Sequence, residues 1–314
     1  MFSIFYIFID FINTSLHLFG SKNHDLVFVR FSENDYFIQE RLDTFYVRIQ
    51  ERCKMENLAI LQEFLTDSQK SLFQESSFGP YLDIHPFKLP LQTIHSLLMY
   101  RVGSRYEEEI CFKVNDKFLG FSVEEFAVIT GLDGWGDKFS VDFNPKVTPR
   151  LVKKYFPKQD AVSNADLKHF LIDHKLQDDD EAVKLANIFF IDSILLPNRA
   201  RSIPNYLWYL GDDERSFSLY PWARVCFDET LKSLKNTFQG NLNTGYELCG
   251  FPSSLLIFAL ECLPGMVALN GTKVGDEMPK ILNWKVNKCQ PHLSKLLSNC
   301  FTRSVSSYIF KICA

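Results

Sequence analysis

None of the eight cysteines, at positions 53, 111, 226, 249, 262, 289, 300 and 313, forms a CxxC pair, and together they lack the dense spacing of a secreted disulfide scaffold. Reduced thiols in a nuclear or cytoplasmic protein fit that pattern. A strong net charge is missing too: a formal charge of −4 and a pI near 6.0 exclude a chain whose whole surface is a trap for phosphate backbones. No P-loop, dinucleotide fingerprint, G-x-S-x-G elbow or kinase motif set is present, nor any internal repeat, heptad run or low-complexity tract. Lys and Arg are absent before Lys22, Asp10 and Asn13 interrupt the apolar run over 1–20, and no clear small-residue cleavage site follows. Those absences argue against a signal peptide or membrane anchor and predict an N-terminal extension over 1–35.

What the sequence has in excess is phenylalanine, 30 residues spread through nearly every predicted element of a 314-residue chain that is 46% hydrophobic. Packing is their expected work, and the chain is long enough for a sizeable core. The clearest local signal lies at 109–132. Ile110, Phe112 and Val114 alternate with polar residues, Asn115 and Asp116 supply turn chemistry, and Lys117 to Phe121 return, which predicts a β-hairpin. Ser122 stands three residues before Glu125, the spacing of a capping box that starts a helix at Val123. Gly131 suits the positive φ of a helix-ending position.

The remaining pattern is helical, giving a mainly α (α+β) fold in which a multi-helix globular domain carries a small antiparallel hairpin near 109–121. Residues 36–132 form a first helical subdomain: two helices over 36–65 broken near Cys53, a helix capped by Ser68, and one from Pro90 to about Val102. Gly131, Gly134, Gly136 and Pro145 mark an irregular connection over 133–147. A second helical subdomain spans 148–284. There Ser163 precedes one helix, Asp178 to Glu181 load the N-terminus of an apolar helix over 182–196, and Pro204, Pro221 and Pro252 open three more. The loop over 240–245 separates the last two. A helical tail over 285–314, with a helix from Pro291 to Phe301, completes the expected organisation.

Glu125, Phe126 and Ala127 followed by Thr130, Gly131 and Leu132 resemble a plant domain of unknown function. That family is found in transposon-derived proteins ahead of an Ulp1-like cysteine protease domain. Further blocks are similar to it: Ser77, Phe78 and Gly79; His95, Leu97 and Leu98; Tyr220, Pro221, Trp222, Ala223 and Arg224 with Phe227; Tyr246, Leu248, Gly250, Phe251 and Pro252; and the run from Pro279 to Trp284. Asp133 and Gly134 depart from the family at the turn after Leu132. The 30 residues after Trp284 are too few for a papain-like domain, so the resemblance implies ancestry without protease activity.

No catalytic residue, cofactor or metal ligand is assigned. The Cys289, His292 and Cys300 spacing lacks a second knuckle, Cys300 and Cys313 lack a nucleophile's local block, and Asp212, Asp213 and Glu214 read as a capped turn. Two candidate binding features remain. Trp222 and Arg224 could anchor a protein partner, against a packing reading in which Trp222 buries beside Phe217 or Phe227 and Arg224 neutralises Asp212 and Asp213. Lys146, Arg150, Lys153, Lys154 and Lys158, with Tyr155 and Phe156, form the best linear candidate for a nucleic-acid patch, against a solvated helix face. The leading expectation is a non-enzymatic protein-interaction module of transposon-associated origin. The alternatives are a truncated, inactive relative of the Ulp1-like protease and a nucleic-acid-binding module.

Overall fold

The computed structural model describes residues 47–104, 106–114, 117–133, 146–197, 200–238 and 245–287 in full, and the backbone of residues 16–20 and 26–30. The architecture is mainly α, with twelve α-helices and four small sheets among the described residues. Strands β1 (Leu16–Gly20) and β2 (Leu26–Arg30) pair antiparallel. After β3 (Ile49–Glu51) come α1 (Leu58–Phe64), α2 (Asp67–Gln74), a 3-10 turn at Gly79–Asp83 and α3 (Leu91–Leu98). Strands β4 (Arg101–Val102), β5 (Ile110–Val114) and β6 (Lys117–Phe121) form a three-stranded antiparallel sheet that leads into α4 (Val123–Thr130).

The 109–132 cassette folds as its residues predict. Ser122 accepts from the Glu124 amide at 3.2 Å while the Glu125 carboxylate accepts from the Ser122 amide at 2.9 Å, which closes the capping box. Gly131 ends α4 at φ 70. Its missing side chain is needed twice over, because a Cβ there would stand 2.8 Å from Pro279. The turn at Asn115 and Asp116 lies outside the described residues.

Helices α5 (Arg150–Tyr155), α6 (Asn164–Asp173) and α7 (Asp179–Phe190) follow, and α7 widens into one π turn at Ile191–Leu195. Then come α8 (Asn205–Asp212), α9 (Glu214–Leu219), α10 (Trp222–Lys235), β7 (Tyr246–Leu248), α11 (Ser253–Cys262) and α12 (Pro264–Asn270). A hairpin of β8 (Gly271–Lys273) and β9 (Trp284–Val286) closes the described chain. Helix α11 is predominantly apolar and buried at every residue but Glu261, so it sits at the centre. Phe121 packs 5.1 Å from Phe258 and 5.8 Å from Phe227, and Tyr81 lies 6.1 Å from Phe251. One hydrophobic cluster runs from Cys53 to Trp284, drawing on both stretches expected as subdomains. Most of the connection between them, residues 134–145, lies outside the described residues.

Several expectations are corrected. Residues 49–51, expected as helix, form β3, because they pair in parallel register with residues 246–248. The α2 cap is Thr66, whose box partner is Gln69, and Ser68 sits inside the helix. Helix α3 stops at Leu98, since Arg101 and Val102 pair with Phe112 and Cys111. Beyond Leu263 the chain restarts at once as α12, using Pro264 at its first turn. The first helix expected before residue 47, the helix at Pro291 and the 240–244 loop lie outside the described residues.

Replacing Gly131 by Ala is expected to lower stability by about 1–3 kcal/mol, since a positive φ and contact with Pro279 both oppose a side chain. Gly120→Ala is the control: its Cβ would meet nothing closer than Glu109 Oε2 at 3.5 Å, and a change under about 1 kcal/mol is expected. Chemical denaturation of the two variants measures both.

Candidate functional site

The sequence candidates come first. Trp222 is 1% exposed, 5.2 Å from Phe217 and 5.4 Å from Phe78, with its indole N–H donating to the Phe217 carbonyl at 3.0 Å. Arg224 forms ion pairs with Glu108 at 2.7 Å and Asp228 at 3.0 Å, so the expected partners Asp212 and Asp213 are not its own. Asp213 instead caps α9 by accepting from the Ser216 amide. The two residues of the Tyr-Pro-Trp block therefore fasten the start of α10 to the aromatic core and to the segment before β5.

The basic stretch has a second use. Glu181 is 4% exposed in the first turn of α7, and it accepts from Arg150 at 2.5 Å and from Lys154 and Tyr155. Arg150 also forms a bidentate pair with Asp212, at 2.6 Å through its Nη2. Two of the five candidate phosphate-binding cations are thus held by carboxylates. Lys146, Lys153 and Lys158 are exposed. Burial pushes the Glu181 carboxyl up, but the hydrogen bonds from Lys154, Tyr155 and Arg150 together outweigh it and hold the group down at about 2. This is an ion-pair network that docks α5 onto α7 and α8.

A cleft of about 680 Å³ opens elsewhere, where β3, the N-terminus of α6 and the π turn meet. Its polar lining includes Glu51, Arg52, Lys54, Asn164, Asp192 and Glu247. Each is positioned by local structure. Asp192 is buried on the π turn and accepts from Asn164 Nδ2 at 2.9 Å, which joins α6 to the turn. The widened turn is a device often found at functional sites, since it re-aims side chains within a helix. Arg52 pairs with Glu247 of the neighbouring strand at 2.7 Å. The Lys54 amide donates to the Ser193 carbonyl at 3.0 Å, fastening the end of β3 to the π turn.

Glu51 is the exception in this lining. Its Oε2 is buried and has no hydrogen-bond partner among the described residues. Desolvation pushes its carboxyl up to about 7, with Glu56 adding to the rise and Lys54 and Lys88 opposing it through space. Sequence reading missed the site. Asp192, an acid inside the apolar run over 185–196, was the one available signal; Glu51 was hidden by the helical reading of its segment.

Three of the described thiols, Cys53, Cys111 and Cys262, are unsuited to nucleophilic work. Desolvation pushes Cys111 up to about 12 and raises Cys53 and Cys262 as well, so these sulfurs stay protonated. No group of three or more His, Cys, Asp or Glu side chains able to hold a metal occurs among the described residues. Cys289, His292, Cys300 and Cys313 lie outside them. No helix among them is long and apolar enough to cross a membrane.

Residues 98–233 match the family model of a domain of unknown function, DUF1985. No curated protein and no solved structure matches the chain. The matched stretch contains the hairpin cassette, the Tyr-Pro-Trp block and the Asn164 and Asp192 side of the cleft, whereas β3 and β7 lie outside it.

The two perturbed glutamates predict opposite pH behaviour. Glu181 is depressed, so its contribution to stability is complete above its unfolded value of 4.5 and fades as pH falls toward 2. Glu181→Gln is expected to cost about 1–3 kcal/mol at pH 7, allowing for the partial exposure of Arg150 and Lys154, and less at pH 3. Glu51 is raised, so ionising it costs stability as pH climbs from 4.5 through about 7. Glu51→Gln is expected to stabilise by about 1–2 kcal/mol at pH 8, with the gain vanishing near pH 4.5. Denaturation across pH separates the two.

Proposed function

We propose that the chain is a non-enzymatic protein-interaction module that takes an extended segment of a partner protein along the outer edge of β3. The observation that carries this reading is the direction of the strand's backbone groups. In the parallel β3–β7 ladder, the Tyr246 amide donates to the Arg48 carbonyl and the Arg52 amide to the Leu248 carbonyl, both at 3.0 Å. Parallel pairing alternates strictly, so the amides and carbonyls of Ile49 and Glu51 point away from β7. Four successive residues, Ile49 to Arg52, line the cleft, which is the signature of a cleft running along a strand's edge. An added strand would satisfy those groups through main-chain hydrogen bonds and take its specificity from the surrounding side chains.

The raised thiols of Cys53, Cys111 and Cys262 fit a binding role. The resemblance adds the setting of the proposal: a plant protein of transposon-associated origin, in the nucleus or cytoplasm. Trp222 and Arg224 enter it as supports of the fold.

A random peptide library displayed against the full chain tests this reading. Selected peptides are expected to slow hydrogen exchange at the Ile49 and Glu51 amides, and Ile49→Pro, which removes an outward donor that β7 does not use, should weaken them roughly tenfold. Peptides that leave both amides unprotected would sink the proposal, whatever their affinity.

A further inference from the structure

We infer that the segment docking on β3 is basic, and that it sets a lysine or arginine side chain against Glu51. The inference rests on the reading of the β3 edge as the docking strand, and it names the partner's chemistry. Its ground is the pairing of the cleft's charges: three acidic and three basic side chains line it, and within that lining the Glu51 carboxylate has a buried oxygen with no hydrogen-bond partner among the described residues. Arg52, the cation next to Glu51 in sequence, is committed to Glu247 at 2.7 Å. Asp192 receives Asn164, and Arg201 lines the cleft through the segment before α8. Lys54 and Lys88 act on Glu51 only through space, and Glu56 opposes them with a like charge and a second buried oxygen lacking a hydrogen-bond partner among the described residues. Glu51 is therefore the carboxylate of the cleft's lining whose buried oxygen the described residues leave unsatisfied.

A strand added to β3 brings its own side chains directly opposite those of β3, at a Cβ separation of about 4.5–5.5 Å. From that distance a lysine or arginine reaches the Glu51 carboxylate, and a charge-assisted hydrogen bond there supplies the missing donor. An aliphatic residue in its place would leave the carboxylate without a donor, and an acidic one would add repulsion. The edge thus selects both for extended backbone and for positive charge at one position.

Docking of a cation favours the ionised carboxylate, so binding below the group's value of about 7 releases a proton. Affinity is then expected to rise up to roughly tenfold from pH 6 to pH 8, following the ionised fraction of one carboxyl group titrating near neutrality.

The test uses peptides selected from the display library on the full chain at pH 8. The expected result is a consensus with Lys or Arg at one fixed position, a loss of at least about fivefold in affinity with Glu51→Gln, and disappearance of the pH dependence in that variant. Replacing the peptide's basic residue by norleucine should weaken binding to the parent chain and have little further effect on Glu51→Gln, since each change removes the same contact. Peptides that protect the Ile49 and Glu51 amides but lack a fixed basic position, or that bind Glu51→Gln as tightly as the parent, overturn the basic partner and leave edge docking standing. A selection yielding no peptide that protects those amides overturns the docking strand and this inference with it.

Discussion

Helix α11 offers water no polar face, and from that constraint most of the structure follows. A predominantly apolar helix, buried at every residue but Glu261, must be enclosed, so α3, α4, β6 and α12 close against it. The enclosure is aromatic: Phe251 and Phe258 of the α11 segment meet Tyr81, Phe121 and Phe126. Its ends are pinned by polar contacts. The Phe251 amide donates to Thr230 Oγ1 at 2.8 Å, and the Trp284 indole donates to Glu261 at 2.7 Å. Gly250 approaches α10 so closely that a Cβ would lie 2.5 Å from Thr230 Oγ1, which ties the entry to α11 to one backbone geometry.

With the centre filled by side chains that cannot interact with water, charged groups are decisive only at the margin of the core, and there two glutamates reach opposite outcomes. Glu181 and Glu51 both lose solvent. Glu181 recovers more than it loses because Arg150, Lys154 and Tyr155 converge on it, so the buried charge joins helices. Glu51 has its nearby cations at a distance or already paired, and burial, with Glu56 beside it, outweighs Lys54 and Lys88. The same residue type is a clamp in one place and an unsatisfied acceptor in the other. The difference lies in partner geometry, which no local window of sequence contains.

That contrast also explains which parts of the molecule could be read in advance. The mainly α class, the β5–β6 hairpin, the Ser122 capping box, the helix start after Ser163 and the Gly131 stop rest on signals close together in the chain, and their chemistry is local. The Thr66 cap was misassigned by two positions because serine and threonine are both competent caps, and the deciding partner Gln69, three residues on, has the box spacing for Thr66 alone. Strand β3 was misread for a different reason. Three residues have too little periodicity to declare themselves, and Ile49–Glu51 become a strand only by pairing with Tyr246–Leu248 from the far end of the chain. The cleft inherits that illegibility, since β3, the α6 start and the π turn come together only after the core has closed.

The blocks that carry the resemblance sit on the other side of this division. Phe78, Leu97, Leu98, Phe121, Phe126, Trp222, Phe227, Leu248 and Phe251 are all buried, and Gly131 and Gly250 are held by close approach of neighbouring segments. Such positions admit few substitutes, because a change of volume or of φ at any of them disturbs the enclosure of α11. A sequence signature built from them reports how the chain packs. The side chains of β3, half-buried at Ile49 and Glu51 and exposed at Gln50, lie outside the fully buried core and are less constrained by it. The most recognisable residues therefore give the fold its form, and on the proposed reading the residues that would distinguish one partner from another belong to the segment around β3, outside the matched stretch 98–233.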